Sequence, residues 1–475
     1  MVLVVAAALW LRTHDLAARP MHFDEANQAV KFGQLLEHGN YAFDPRDHHG
    51  PTLYYLTLPV AWARGQRTLP ALDETTVRLL PALAGTLSVV LMWLLARPLG
   101  TGTAFAAALL LAVAPAAVYY NRYYVQESLL VLFTLGAFIC GHRWWLGRGR
   151  GWALATGVCA GLMLATKTSA LLFGFVAVAA LATVARGSRR FLTHPLTAVA
   201  AAAAVAVLFY SSFLTHPVGL RDAFASLGSM ADRAAGGTGH DKPWWYYASL
   251  LVFRRDGGYL WDQSLFLAMA VAGLVVAWRG PRRMPRLFAL YAVVVAIALS
   301  LTPYKTPWIV VNLVPVLAVL AALAWSALAG LRVWGGVAAV GLGLAVIGEL
   351  AWQTRQAVFR LPADPRNPYA YVHSSPDVLK VRALAEAALA RDSSGSIKII
   401  SEEYWPLPWY LRGYPHVGYW NVAPADCDGA LVISSASLAG AVRARLHGAY
   451  RESYLGLRPN FLLVVFEPAP AGAEH

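Results

Sequence analysis

Charge and cysteine are both scarce in this sequence, and each scarcity excludes something. Only 14% of the 475 residues are charged against 58% hydrophobic, with a mean hydropathy of +0.49. Soluble domains carry about 25% charged residues, so an ordinary soluble enzyme is ruled out by composition. There are 3 cysteines, of which Cys140 and Cys159 lie in apolar runs and Cys427 stands alone outside them. No intramolecular disulfide framework is possible on an oxidising side of a membrane. Basic stretches interleaved with aromatics are missing outside a few short loops, so the net charge of +13 does not point to nucleic acid.

What the chain has instead is long apolar runs. A hydrocarbon core of roughly 30 Å needs about 20 helical residues. Runs of about that kind lie near 77–96, 103–119, 128–142, 152–166, 168–185, 195–214, 264–278, 287–301, 308–329 and 333–352. With the short Val2–Leu11 they predict about eleven spans in a multi-pass α-helical membrane domain over residues 1–352. Residues 353–475 have the pattern of an extracytoplasmic α/β domain. Pro376–Arg391 and Ser437–Leu446 read as helices, and Ile397–Ser401, Ala430–Ser434 and Phe461–Phe466 as strands. This domain carries no nucleotide-binding glycine fingerprint, Walker motif or Cys/His metal spacing. Met1 to Leu11 is about half a span, which predicts a start further upstream; the missing basic n-region argues against a cleaved signal peptide.

Orientation follows from the arginines. The connections at Arg97, Arg143–Arg150, Arg186–Arg190, Arg279–Arg286 and Arg332 hold twelve Arg and no Asp or Glu, so they are predicted to face the cytoplasm. All 26 acidic residues then fall at the outer side or in the C-terminal domain. The predicted location is the plasma membrane, with the C-terminus outside.

Four outer segments carry the chemistry. The first, residues 12–76, opens with Asp24 and Glu25 side by side, where Asp24 could cap a helix running to about Glu37 with Val30, Leu35 and Leu36 on the membrane interface. It continues into a turn-rich stretch containing His49. The second runs from Tyr119 to Glu127 and includes Arg122; the third, 215–263, includes His240 and the aromatic run Trp244–Tyr247; the fourth is the link Thr302–Trp308, in which Pro303 and Pro307 flank Lys305. Lys167 interrupts an apolar stretch long enough for two spans, which puts it at an outer hairpin tip. Taken singly, each has a plain structural reading: capping for Asp24, snorkelling for the cations, a membrane-interface belt for the aromatics. Three cations and several carboxylates on one face suit another task. Transfer of a sugar from a polyprenyl phosphate needs a base for the acceptor and cations for the departing phosphate.

The arrangement is similar to the GT-C membrane glycosyltransferase superfamily, the group of protein O-mannosyltransferases. The carrying residues are His22-Phe-Asp-Glu25 in the first outer loop, Asn121-Arg-Tyr-Tyr-Val-Gln-Glu127 before the fourth span, and Ala165-Thr-Lys167. Within it the chain most resembles the prokaryotic flippase activity-associated family of the archaeal N-glycosylation pathway, through Asp44–Tyr54, His240–Tyr247, Pro303–Trp308 and Trp405–Arg412. The resemblance implies Asp24 as catalytic base, with Glu25 as its neighbour or an acceptor contact. It implies Arg122, Lys167 and Lys305 as donor-phosphate ligands, with His49, Glu127, His240 and Trp308 as further site candidates. It implies a polyprenyl-phosphate-linked sugar as donor, a glycan, lipid or protein as acceptor, and inversion at the anomeric carbon. A divalent metal on Asp24, Glu25 and Glu127 is compatible with it but not required. The competing reading is a helper for translocating lipid-linked sugars, though neither repeat symmetry nor broken midplane helices are evident. A third is a structural partner that recruits envelope proteins through its C-terminal domain.

The topology is testable directly. A reporter active only in the cytoplasm, fused after His475, is expected to stay silent; strong signal would invert the orientation and move the acidic loops to the inner side.

Overall fold

The computed structural model describes residues 1–45, 49–184, 193–237, 239–331 and 333–469. Arg46, Asp47 and His48 of the first loop, the Arg186–Arg190 connection, Arg332 and the C-terminal His475 lie outside the described residues. Each predicted apolar run coincides with helix. Glu74–Leu94, Glu127–Trp145, Arg283–Leu301 and Trp334–Arg360 are long and apolar enough to cross a membrane, and seven further apolar helices have 10–17 residues.

Two runs differ from the sequence reading, both at prolines. The run over 103–119 is two helices, Thr101–Val113 and Pro115–Tyr120, because Pro115 has no N–H to donate and Ala114 before it is extended, with φ −65° and ψ 121°. Trp308 lies outside the helix it was to open: Pro307–Asn312 forms a 3-10 turn, and the helix proper is Val314–Ala329, with Pro315 in its first turn.

The two ends of the bundle differ in kind. At one end Arg282 donates to the Leu99 carbonyl (2.6 Å), Trp144 to the Thr193 carbonyl (2.7 Å), and Arg283 lies over the Trp145 ring. Arginine-rich connections thus gather there. At the other end the long loops pair with one another through backbone. The Gly50 N–H donates to the Thr166 carbonyl (2.9 Å), and the Lys305 N–H to the His240 carbonyl (3.1 Å). The first loop is thereby seated on the turn at Lys167, and the third loop on the link at Lys305.

The C-terminal domain begins where the last long helix, Val333–Arg355, ends in a π turn at Arg360. Its sheet has five strands in the order Val417–Trp420, Ile397–Ile400, Leu431–Ser435, Phe461–Pro468, Tyr450–Arg458. The first three run parallel and the last two are antiparallel to their neighbours. Helix Lys380–Arg391 buries Val381, Ala385 and Ala388 against it, at the three- and four-residue spacing of one helix face. Both outermost strands escaped the sequence reading: Val417–Trp420 is four half-exposed residues that include a glycine, and Tyr450–Arg458 carries polar residues on its exposed face. The helix predicted over Ser437–Leu446 is only the short Ala439–Arg443.

This domain is not a loose appendage. Phe32 and Tyr54 of the first loop share one buried cluster with Val381, Ile399 and Trp409. Across the seam the Trp409 indole donates to Glu74 Oε1 (2.8 Å), the Met21 N–H to the Tyr410 hydroxyl (2.8 Å), and Arg412 Nε to the Leu69 carbonyl (3.2 Å). Trp409 is fully buried. Trp409→Ala should destabilise the protein by about 3–5 kcal/mol, the usual cost of emptying an aromatic core site. Thermal unfolding in detergent measures it, and an unchanged midpoint would mean that the seam contributes nothing.

Candidate functional site

The site starts at the entry to helix Phe23–His38. The cap of that helix is His22, not Asp24: His22 Nδ1 accepts from the Asp24 N–H (3.1 Å), and Glu25 reaches back to the His22 N–H (3.0 Å). The other ring nitrogen, Nε2, lies 2.9 Å from the Tyr371 carbonyl. A carbonyl only accepts, so Nε2 carries the proton and Nδ1 the lone pair, and His22 is neutral in one tautomer. Leu35 also departs from expectation: it is buried in the core and not on a membrane interface, because the C-terminal domain covers this loop.

Asp24 and Glu25, adjacent in sequence, have opposite surroundings. Glu25 is completely buried, with Oε2 2.8 Å from Arg19 and Oε1 2.8 Å from Arg78, and Oε1 also accepts the Tyr124 N–H (3.0 Å). Burial alone would raise its pKa; Arg19 and Arg78 more than offset that and hold the carboxyl below the ordinary carboxylate range. Arg78 in turn donates to the carbonyls of Leu16, Arg19 and Pro20. Asp24 is about one-third exposed, and its nearest charged-capable neighbour is the neutral His22 ring at 3.9 Å. Among the described residues no Lys or Arg lies within ion-pair distance of it. Glu25 therefore braces the loop, while Asp24 presents a carboxylate with open lone pairs.

Around Asp24 converge side chains from four segments. His240 and Tyr304 both lie within its field. Trp308 stands 5.9 Å from the His22 ring, and Tyr371 bonds His240 Nδ1 through its hydroxyl at 2.8 Å. Tyr304 also feels Lys167, Arg233 and Glu127, so the acidic and basic parts of the site meet at its ring. Burial lowers the pKa of His240, and Lys242 and Arg233 act in the same direction against Asp24 and Asp241.

The three predicted phosphate ligands are held differently. Lys167 sits in the turn between helices Arg150–Leu164 and Ala170–Val184, pairs with the buried Glu127 and keeps some exposure. His49 is its backbone neighbour in the pairing of the two loops. Arg122 gives both terminal nitrogens to carbonyls, those of Leu11 (3.1 Å) and Asp15 (3.0 Å), and packs over Phe359. Lys305 is 1% exposed, and its ammonium donates to the carbonyls of Thr302 and Lys242. As placed, Arg122 and Lys305 pin loops, and of the three only Lys167 faces the acidic part of the site. The carboxylates named for a metal do not fit one: Glu25 is saturated by two arginines and two N–H groups, and Glu127 is tied to Lys167. Among the described residues, three or more His, Cys, Asp or Glu side chains come within ligand range of one another only at Asp426, Asp428 and His447, in the C-terminal domain, of which Asp428 is half-exposed and the other two exposed.

Several residues of the site escaped the sequence reading. Arg19 and Arg78 were hidden as ordinary loop and helix-end arginines, although an Arg inside an apolar run such as that starting at Val77 is itself a signal. His22, Tyr371 and His373 gave none. His373 is buried under Tyr119, whose hydroxyl is 3.2 Å from Nε2, and burial pushes its pKa well down.

The division of labour between the carboxylates is testable. Glu25→Gln should cost about 3–5 kcal/mol, because two buried guanidinium groups lose their counter-charge. Asp24→Asn should cost less than about 1 kcal/mol, the worth of one carboxylate in a first helical turn. The Glu25 carboxyl is depressed in the fold, so its contribution is complete above the unfolded pKa of about 4.3 and is lost as pH falls below it toward the folded value. The wild-type midpoint should thus drop with acidification below that point more steeply than the Glu25→Gln midpoint. Equal losses for the two substitutions would refute the division.

Known proteins share parts of this sequence and its fold. The family model described as dolichyl-phosphate-mannose-protein mannosyltransferase matches residues 65–215. Protein O-mannosyl-transferase 1 of Mus musculus is 31% identical over 161 residues, which are 29% of this chain and 21% of the mouse protein, so the chain spans only about a fifth of that relative. ArnT from Cupriavidus metallidurans bound to undecaprenyl phosphate superposes with a TM-score of 0.69 at 18% identity, covering 98% of this chain and 97% of that one. The archaeal oligosaccharyltransferase AglB from Archaeoglobus fulgidus, in complex with an inhibitory peptide and a dolichol-phosphate, gives 0.63 at 13% identity over 95% and 72%. The likeness to the flippase activity-associated family rests on the sequence segments alone. Helical bundle and appended sheet domain, taken with the mannosyltransferase match over residues 65–215, give this chain the fold of the GT-C membrane glycosyltransferase superfamily.

Proposed function

We propose that the protein transfers a sugar from a polyprenyl-phosphate-linked donor to an acceptor at the loop end of the bundle, with Asp24 as general base. The observation that carries the reading is the contrast at Asp24: a carboxylate one-third exposed, with no Lys or Arg within ion-pair distance among the described residues, on a loop that Glu25 ties down. A base has to be accessible, unpaired and fixed in position. Donor chemistry is supported by the undecaprenyl phosphate bound to ArnT and the dolichol-phosphate bound to AglB.

In this reading Asp24 takes the proton of the acceptor hydroxyl as its oxygen attacks the anomeric carbon. The bond from that carbon to the phosphate oxygen breaks on the opposite face, so configuration inverts in one displacement and no carboxylate nucleophile is needed. Polyprenyl phosphate leaves with the bonding electron pair, and Lys167 neutralises the charge that develops on it. Arg122 and Lys305 act through the loops they hold, and Lys305 can reach a phosphate only by releasing its two carbonyls. The acceptor is a glycan, lipid or protein. The loop end is the outer face of the plasma membrane, and the tail of the donor stays in lipid while its head group reaches the site.

The test is turnover. Purified protein with a panel of undecaprenyl-phosphate sugars should release undecaprenyl phosphate when an acceptor is supplied. Asp24→Asn should lower that rate by about 10²-fold or more while the protein stays folded. Wild-type turnover in the Asn variant would remove the base from the mechanism.

A further inference from the structure

Tyr371 belongs by sequence to the segment that opens the C-terminal domain, yet its side chain stands inside the site. Its hydroxyl lies 2.8 Å from His240 Nδ1, its ring is 6.0 Å from that of Trp308, and Lys242 Nζ stands 5.7 Å over its face. It is half-buried and lies within the field of Asp24.

The backbone around it is held on both sides. His22 donates to the Tyr371 carbonyl (2.9 Å), Ser374 Oγ donates to the Met21 carbonyl (2.7 Å), and His373 is buried against Tyr119. Between these anchors Val372 has φ +51°, in the left-handed region that a β-branched residue rarely enters. Strain of that kind persists only where the surroundings over-determine it, and it gathers at functional sites. Here it turns residue 371 toward His240 and residue 373 into the core.

We propose that Tyr371, paired with His240, holds the sugar ring of the lipid-linked donor. The inference rests on the glycosyl-transfer reading and adds to it the group that recognises the sugar. If the phenol donates to the His240 Nδ1 lone pair, the phenol oxygen keeps lone pairs to accept a sugar hydroxyl, and His240 Nε2–H remains a donor. One acceptor and one donor side by side match two neighbouring ring hydroxyls. The faces of Tyr371 and Trp308 suit the apolar C–H face of the same ring. Tyr371 touches no reacting atom and is a positioning residue.

The experiment compares two lipids on one protein in detergent, measuring Kd by quenching of intrinsic tryptophan fluorescence. One is undecaprenyl phosphate; the other is undecaprenyl-phosphate mannose, with the glucose analogue in parallel. Wild type should bind at least one sugar-bearing lipid more tightly than undecaprenyl phosphate. Tyr371→Phe, which keeps the ring and the fold, should weaken the sugar-bearing lipid about three- to tenfold, the worth of one neutral hydrogen bond. Tyr371→Ala should weaken it more, and neither substitution should shift affinity for undecaprenyl phosphate beyond about twofold. Parallel weakening of both lipids would make Tyr371 a structural residue only, and unchanged affinities would remove it from the site. Wild-type binding of undecaprenyl phosphate with no gain from either sugar also overturns the assignment while leaving the donor phosphate in place. Failure to bind any of the three lipids sinks the donor reading itself.

Discussion

Everything at the loop end depends on one buried carboxylate held between two guanidinium groups. Glu25 joins Arg19 in the first loop to Arg78 in the helix Glu74–Leu94, and accepts the backbone of Tyr124 from the second loop. Three segments far apart in the chain are thereby tied at a single point. A buried ion pair of this sort contributes little net stability compared with an apolar core, but removing one partner is costly, so it works as a specification of geometry. Here the geometry specified is the direction in which the neighbouring Asp24 points.

The adjacency of the two acids gains its sense from helix geometry. Successive residues in a first helical turn point about 100° apart, so one can face the protein while the next faces the cleft. Capping by a neutral His22 leaves the Asp24 side chain without the usual duty of a first-turn acid. The same His22 then reaches the C-terminal segment through its second nitrogen. Asp24, the helix cap and the C-terminal segment are therefore coupled through one imidazole ring.

Much of the architecture was legible in the sequence because a membrane makes simple demands. Apolar length, arginine asymmetry and the position of prolines are local properties, and the helices follow them closely. The departures came at Pro115 and Pro307, where the apolar run continues but the hydrogen-bond ladder cannot. The site was legible only in part. Asp24, Glu25, Lys167 and His240 stand out by residue type and loop position, whereas the distinction between a bracing and an open carboxylate lies entirely in long-range contacts. Lys305 shows the limit from the other side. Its flanking prolines pointed to a support that would hold it at the outer surface, but its ammonium is buried against the carbonyls of Thr302 in the link and Lys242 in the third loop. Tyr371 could not have been chosen from the sequence, since two tyrosines in a proline-rich connection, Tyr369 and Tyr371, form no pattern that marks one of them for a site.

The seam between the first loop and the C-terminal domain has a consequence for the order of synthesis. Met21, His22 and Glu74 are made early, whereas Tyr371, Trp409 and Tyr410, which complete their surroundings, emerge only after the last long helix. A nascent chain with every long helix already made would still lack these partners of the first loop. The surroundings of Asp24 are therefore assembled only after the segment around Tyr371 has been made and has docked on the first loop.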